Sequence, residues 1–174
     1  MTAKILRIGL LLGLTASSAP AHAGPTKPPE YLSRFRSASF RVVDSTAGLP
    51  EVIRAPLSKL HGRERLSDTS EPFDASCTVD GEQARRHMVT GGVSREWTFI
   101  VFETGGRGHS YWLEVFSTRS GLREPVFFAS VPWGTGALHD LQLAIDRGKV
   151  EVIPNPEDYP GIVFGSYRAS RGAA

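Results

Sequence analysis

The side chains best suited to chemistry are those of Glu103 and His109, which flank a glycine-rich segment of five residues, 104–108. The runs on either side of this segment are aromatic and β-branched, which predicts two strands joined as a β-hairpin. If the hairpin closes symmetrically, Glu103 lies opposite His109, and Val101 then lies opposite Tyr111. A carboxylate beside an imidazole orients the ring and favours its charged form, as a general base or a pH-sensitive contact requires.

The same two residues have a plainer interpretation as a cross-strand ion pair. Such pairs are ordinary in hairpins and stabilise them by about 0.2–1 kcal/mol. Tyr111 shares the strand face of His109, whereas Ser110 points to the opposite face, so the local sequence places no nucleophile beside the histidine. The structural ion pair is therefore favoured over a catalytic pair.

The loop and the strand after it supply the residues expected to contact a ligand, which are Gly106, Arg107, Tyr111 and Trp112. Clustered glycine N–H groups can cradle a phosphate. However, the segment lacks the Lys-Ser/Thr ending of a P-loop, and a strand follows it where that motif requires a helix. The glycines are therefore predicted to form a hairpin turn.

The rest of the sequence contains no established catalytic or metal-binding motif. Apart from His22 in the N-terminal segment, four histidines are scattered along the chain, at positions His61, His87, His109 and His139. No H-x-H, H-E-x-x-H or paired-cysteine spacing is present, and no G-x-S-x-G elbow occurs. The single cysteine, Cys77, would need a distant histidine to act as a nucleophile. These observations predict no metal and no cofactor, and they argue against an enzyme.

The N-terminal residues have the pattern of an export signal. Lys4 and Arg7 come first, and the apolar stretch at 8–14 is too short to span a bilayer. An A-x-A sequence then ends at Ala23, as signal peptidase requires. We therefore expect residues 1–23 to be a signal peptide cleaved after Ala23, and the protein to be periplasmic or secreted.

Removal of the signal peptide leaves about 150 residues, which is the length of a single domain. The full sequence has 20 Lys plus Arg and 18 Asp plus Glu. Because Lys4 and Arg7 account for the excess, the mature chain is formally neutral, which argues against nucleic acid or an anionic membrane as a partner. We expect a proline-rich tether at 24–30, one globular domain at 31–167 and a disordered tail at 168–174.

The apolar pattern predicts an α+β domain on an antiparallel sheet that is built around a central β-hairpin. The hairpin strands span about 97–103 and 109–117, and the first of them is apolar on both faces, as a central strand is. Further strands are predicted at 40–43, 126–131, 149–153 and 162–167.

One helix is predicted before the hairpin, at about 49–61, and one after it, at about 136–147. The first contains four apolar residues with helical spacing, Leu49, Ile53, Leu57 and Leu60. Pro56 should kink or split this helix, because its ring removes a hydrogen bond to the preceding turn. Residues 63–84 are polar and are predicted to be irregular.

The number of aromatic side chains in this region is larger than one modest sheet face needs for its core. The residues are Phe102, Trp112, Phe116, Phe127 and Trp133. They form either a docking surface on an uncovered face or part of a core that the helices cover, and the core is favoured.

Together these features favour an exported, non-catalytic binding domain that recognises a protein partner or an envelope component through the sheet and its hairpin loop. Inhibitors and toxin-immunity proteins are examples of this class. One alternative is a small envelope hydrolase that uses His109 and Glu103 as its acid–base pair, with other residues supplied by distant segments. Another is an assembly component that packs against copies of itself.

Overall fold

In a computed structural model of the chain, the described residues are 30–61, 64–75, 83–106, 109–118 and 125–153. The predicted signal peptide, Cys77, Arg107, the predicted strand at 162–167 and the predicted tail at 168–174 lie outside them.

The described residues form three α-helices and seven β-strands. The helices are α1 (Glu30–Arg36), α2 (Glu51–Leu57) and α3 (Leu138–Asp146), and a 3-10 turn covers Thr46–Gly48. The strands are β1 (Arg41–Val43), β2 (Leu66–Ser67), β3 (Arg86–Val93), β4 (Trp97–Thr104), β5 (Ser110–Ser117), β6 (Pro125–Val131) and β7 (Glu151–Val152).

All seven strands belong to one sheet with the order β1-β3-β4-β5-β6-β7. These neighbours are antiparallel, and only β2, which pairs with the beginning of β3, runs parallel to its partner. The mostly antiparallel sheet with few helices confirms the predicted α+β class.

Helices cover both faces of the sheet. On one face, α2 packs through Ile53 and Leu57 against a cluster that includes Ile100, Phe102 and Phe116. On the other face, the buried residues of α1 and α3 pack against a second cluster, which contains Leu32, Phe35, Phe99, Val101, Leu113, Val115, Leu141 and Ile145. The residues of β4 from Thr98 to Phe102 are consequently buried on both sides. Most of the aromatic surplus therefore belongs to the core.

The register between β4 and β5 differs from the predicted one. Glu103 pairs with Tyr111 and Val101 pairs with Leu113, so each partner lies two positions further along β5 than the symmetric loop implies. The reason is that Thr104 joins β4 and pairs with Ser110, which leaves His109 outside the strand. Because a shift of two residues preserves the alternation of side chains, every residue stays on its expected face.

Both predicted helices are shorter in the structure. The helix expected at 49–61 covers only Glu51–Leu57, and Pro56 lies in its last turn, where it cannot donate a hydrogen bond to the preceding turn. Leu49 and Leu60 lie outside the helix but pack on the same cluster, which explains why the helical spacing extends beyond it. The helix expected at 136–147 covers Leu138–Asp146.

Strand β3 is absent from the sequence-based assignment, although it contributes eight residues next to β4. Gly91 and Gly92 occupy its second half and lack the β-branched side chains that identify strands. The structure explains these glycines by close packing: Gly92 pairs with Phe99, whose ring lies directly against its backbone.

We predict that Gly92→Ala destabilises the domain by about 1–3 kcal/mol, because overpacking displaces a fixed side chain. The added Cβ would overlap the ring of Phe99, and Phe35 and Phe40 pack edge-on against that ring. Urea unfolding measures the change. Gly136→Ala is the matched control, since the nearest atom to its added Cβ is 3.8 Å away. Equal stability of the two variants would contradict the packing argument.

Candidate functional site

The carboxylate of Glu103 is the centre of a polar cluster at the end of β4. Its Oε1 atom accepts a hydrogen bond of 2.6 Å from Nδ1 of His109, and its Oε2 atom accepts one of 3.3 Å from the hydroxyl of Tyr111. The Glu103 side chain is 13% exposed and that of His109 is 39% exposed. The structure therefore brings together three residues that the sequence singled out, with the carboxylate shielded and the imidazole open to solvent.

Two different local features place these partners around Glu103. Tyr111 is its direct cross-strand neighbour on β5. His109 precedes β5 in the loop, so its ring contacts the carboxylate from the end of the sheet. Gly106 lies in the same loop with φ of 117°, a conformation that glycine adopts without a steric penalty. The N–H group of Gly105 donates to the carbonyl of Arg85 and ties the loop to the start of β3.

Hydrogen bonding to Glu103 also affects the phenol of Tyr111. Burial raises the pKa of Tyr111, and the negative charge of Glu103 and the hydrogen bond to it raise this pKa further. Tyr111 is therefore a stable hydrogen-bond donor at neutral pH.

His87 approaches Glu103 from β3, as its cross-strand partner on the other side. Phe73 stacks on the imidazole with ring centroids 4.7 Å apart. Burial lowers the pKa of His87, and the negative charges of Glu103, Asp68 and Glu71 oppose this effect. The ring is therefore neutral at pH 7. Sequence reasoning missed this neighbour because β3 itself was missed.

A hydrogen bond to Ser67 determines the tautomer of His87. The Ser67 hydroxyl donates to the carbonyl of Arg86 at 3.1 Å, and its oxygen lies 3.2 Å from Nδ1 of His87. Since the hydroxyl has only one proton, Nδ1 must donate to it. Through these hydrogen bonds Ser67 links β2 to β3. Because Ser67 is completely buried, it is inaccessible to a substrate.

Trp112 lies apart from the cluster. It is on the other face of the sheet, where its ring stacks on Phe128 with centroids 5.1 Å apart and its Nε1 donates to Thr104. This candidate binding residue is half-buried in the packing around α2. Arg107, the candidate at the loop tip, lies outside the described residues.

Trp133 is the exposed aromatic residue at this end of the sheet. Strand β6 ends at Val131, which pairs with Tyr111, and the chain then turns through Pro132 and Trp133. Thr135 closes the turn, because its N–H and hydroxyl both donate to the carbonyl of Pro132. Trp133 remains 78% exposed. The register therefore places a solvent-facing indole, on a turn closed by hydrogen bonds, at the same end of the sheet as His109.

A buried acidic residue, Glu114, was also missed by sequence reasoning. It lies on the face that α2 covers and is 1% exposed. Burial lowers the pKa of Arg86, and the charges of Glu114 and Glu64 oppose this effect. The charges of Glu114 and Arg86 therefore offset part of each other's desolvation cost. This assigns Glu114 a structural role.

The described part of the chain contains no group of three histidine, cysteine or acidic residues arranged to hold a metal ion. None of its helices is long and apolar enough to cross a membrane. No protein-family model, curated protein or solved structure matches the chain. The function must consequently be inferred from the site itself.

We predict that the lowered pKa of His87 makes the domain lose stability as the pH falls below about 6.5, the ordinary histidine value. In this range the unfolded chain binds a proton at His87 more readily than the folded chain does, so protonation favours unfolding. The loss begins at the unfolded pKa and is complete below the lowered folded pKa.

Urea unfolding at about pH 7.5 and about pH 5 tests this linkage. The variant His87→Gln should lose less stability between the two pH values than the unmodified protein. The control His139→Gln alters an exposed residue of α3 and should retain the full loss. An unchanged pH dependence in His87→Gln would show that this histidine is not responsible.

Proposed function

We propose that this chain is an exported, non-catalytic binding domain of the periplasm or extracellular space, and that it recognises a protein partner. We infer that β4 and β5 are the arms of the predicted central hairpin, with the loop at 105–109 between them. The binding surface is the end of the sheet that carries Trp133 and the cluster of Glu103, His109 and Tyr111. The expectation of export rests on the signal-like sequence at 1–23.

The single observation that carries this proposal is the exposure of Trp133 in a turn that is closed by hydrogen bonds. Tryptophan and tyrosine are enriched among the residues that dominate binding energy in protein interfaces. Because hydrogen bonds close the turn that carries this indole, little backbone freedom is lost when a partner covers it. The other large apolar side chains that are exposed within the described residues are valines, Val42, Val52 and Val126.

The polar cluster supplies specificity next to the indole. Glu103 orients both His109 and Tyr111 before any partner arrives, which lowers the entropic cost of binding. Because Nδ1 of His109 is engaged by Glu103, Nε2 is the nitrogen that can bond to a partner. The complementary surface would contain an apolar pocket for the indole and a polar group facing the imidazole.

Affinity capture with the Trp133→Ser variant tests the proposal. The purified protein is immobilised, an envelope extract of the source organism is passed over it, and retained proteins are identified by mass spectrometry. We expect one stoichiometric partner, whose purified form binds the unmodified protein at least about tenfold more tightly than Trp133→Ser.

The matched control is Val42→Ser, which removes an exposed apolar side chain from the edge strand β1 and should bind normally. A partner that binds both variants equally would place the interface elsewhere. A column that retains no specific partner would contradict the proposal of a protein ligand.

A second candidate function is the small envelope hydrolase, which the 2.6 Å contact between His109 and Glu103 favours. In that case Glu103→Gln and His109→Asn would each abolish turnover in a panel of peptides, esters, glycans and phosphoesters, with thermal stability almost unchanged. We expect the other result, no turnover by the unmodified protein and a loss of up to about 1 kcal/mol in each variant, as for a partly exposed ion pair. His139→Asn is the control, because His139 is exposed on α3.

A further inference from the structure

A cleft of about 440 Å³ opens at the other end of the sheet, between the end of α1 and the turn that joins β3 to β4. It lies beside Trp97, the first residue of β4, whereas the Glu103 cluster lies at the C-terminal end of that strand. Glu103 is six positions further along β4 than Trp97, which corresponds to about 20 Å at the rise of a β-strand. The cleft is therefore separate from the proposed interface, and its volume is in the range of small-molecule sites, which is about 300–1,000 Å³.

The wall formed by the β3–β4 turn is held rigidly. The hydroxyl of Ser94 accepts from the N–H group of Trp97 at 2.9 Å and donates to its carbonyl at 3.0 Å. The start of the segment after β5 secures the turn from the other side, since Thr118 donates to the carbonyls of Arg95 and Glu96. A preorganised wall of this kind reduces the cost of binding a ligand.

The opposite wall consists of the end of α1 and the residues that follow it. Leu32 and Phe35 anchor α1 in the core, and Arg34, Ser37 and Ser39 line the cleft from this side. The hydroxyl of Ser37 donates to the carbonyl of Arg34 and retains its capacity to accept a hydrogen bond. This wall therefore offers hydroxyl groups and a guanidinium group to the cleft.

Positive charge exceeds negative charge in the cleft. Arg34 and Arg95 both line it, with Glu96 as the acidic residue. Arg34 lies 3.4 Å from the carboxylate of Glu96. Arg95 is exposed and makes no ion pair within the described part of the chain. A guanidinium fork matches the geometry of a carboxylate or phosphate group.

We propose that this cleft binds a small hydroxylated anion, a molecule of the size of one sugar ring that carries a carboxylate or a phosphate. Arg95, with Arg34 beside it, binds the anionic group. Ser37 and Ser39 form hydrogen bonds to the hydroxyl groups of the ring. The half-buried indole of Trp97 provides the flat apolar surface against which the ring packs.

Titration of the unmodified protein with glucuronic acid, glucose 6-phosphate and glucose tests this assignment, with the indole N–H signals of the three tryptophans followed by NMR. The Trp97→Phe variant assigns the relevant signal. We expect saturable shifts of the Trp97 signal with at least one of the two anionic sugars, and much weaker binding of glucose. Binding of only one anion would identify the charged group as carboxylate or phosphate.

Arg95→Gln should weaken the binding of the anionic sugar at least about tenfold, because it removes a charge-assisted hydrogen bond. Arg54→Gln is the matched control, since it removes the same charge from α2 on the opposite face of the sheet and should bind normally. The proposal is overturned if neither anion shifts the Trp97 signal at about 10 mM, a weak-binding limit. It is also overturned if glucose binds as tightly as the anions, or if Arg95→Gln binds as tightly as Arg54→Gln.

Discussion

Burial of β4 on both faces is the constraint on which the rest of the domain depends. Residues from Thr98 to Phe102 are removed from water, so apolar layers must cover the sheet on each side. The helix α2 supplies one layer, and α1 with α3 supplies the other. Since a central strand also needs hydrogen-bond partners along both edges, β3 and β5 must both extend along its whole length.

The polar cluster is a consequence of this arrangement. Glu103 lies where β4 leaves the core, between a neighbouring strand on each side. Its register partners are His87 on β3 and Tyr111 on β5, and the loop then adds His109. A carboxylate in this position is shielded enough to order its neighbours, yet close enough to solvent for His109 to remain accessible. The packing that buries β4 thus also positions the polar side chains around Glu103 at the end of the sheet.

Local sequence patterns predicted the elements that have strong periodicity. The aromatic and β-branched runs around the glycine loop are strands, and apolar spacing located α2 and α3 approximately. Strand β3 was missed because Gly91 and Gly92 carry no side chain, and their role is visible only where Phe99 packs on them. His87 was missed with it. The contact between Glu103 and His109 occurs as expected, but through a loop residue and not through cross-strand pairing.

The sequence by itself determined the α+β class and the face of the sheet to which each residue of β4 and β5 belongs. Both depend on short-range alternation of apolar and polar residues, which a shift of two positions leaves unchanged. Only the tertiary structure decided the register, the ends of the helices and the exposure of Trp133. Those features depend on how distant segments fill the space beside β4, and the amino-acid pattern of one segment contains no information about its neighbours in space.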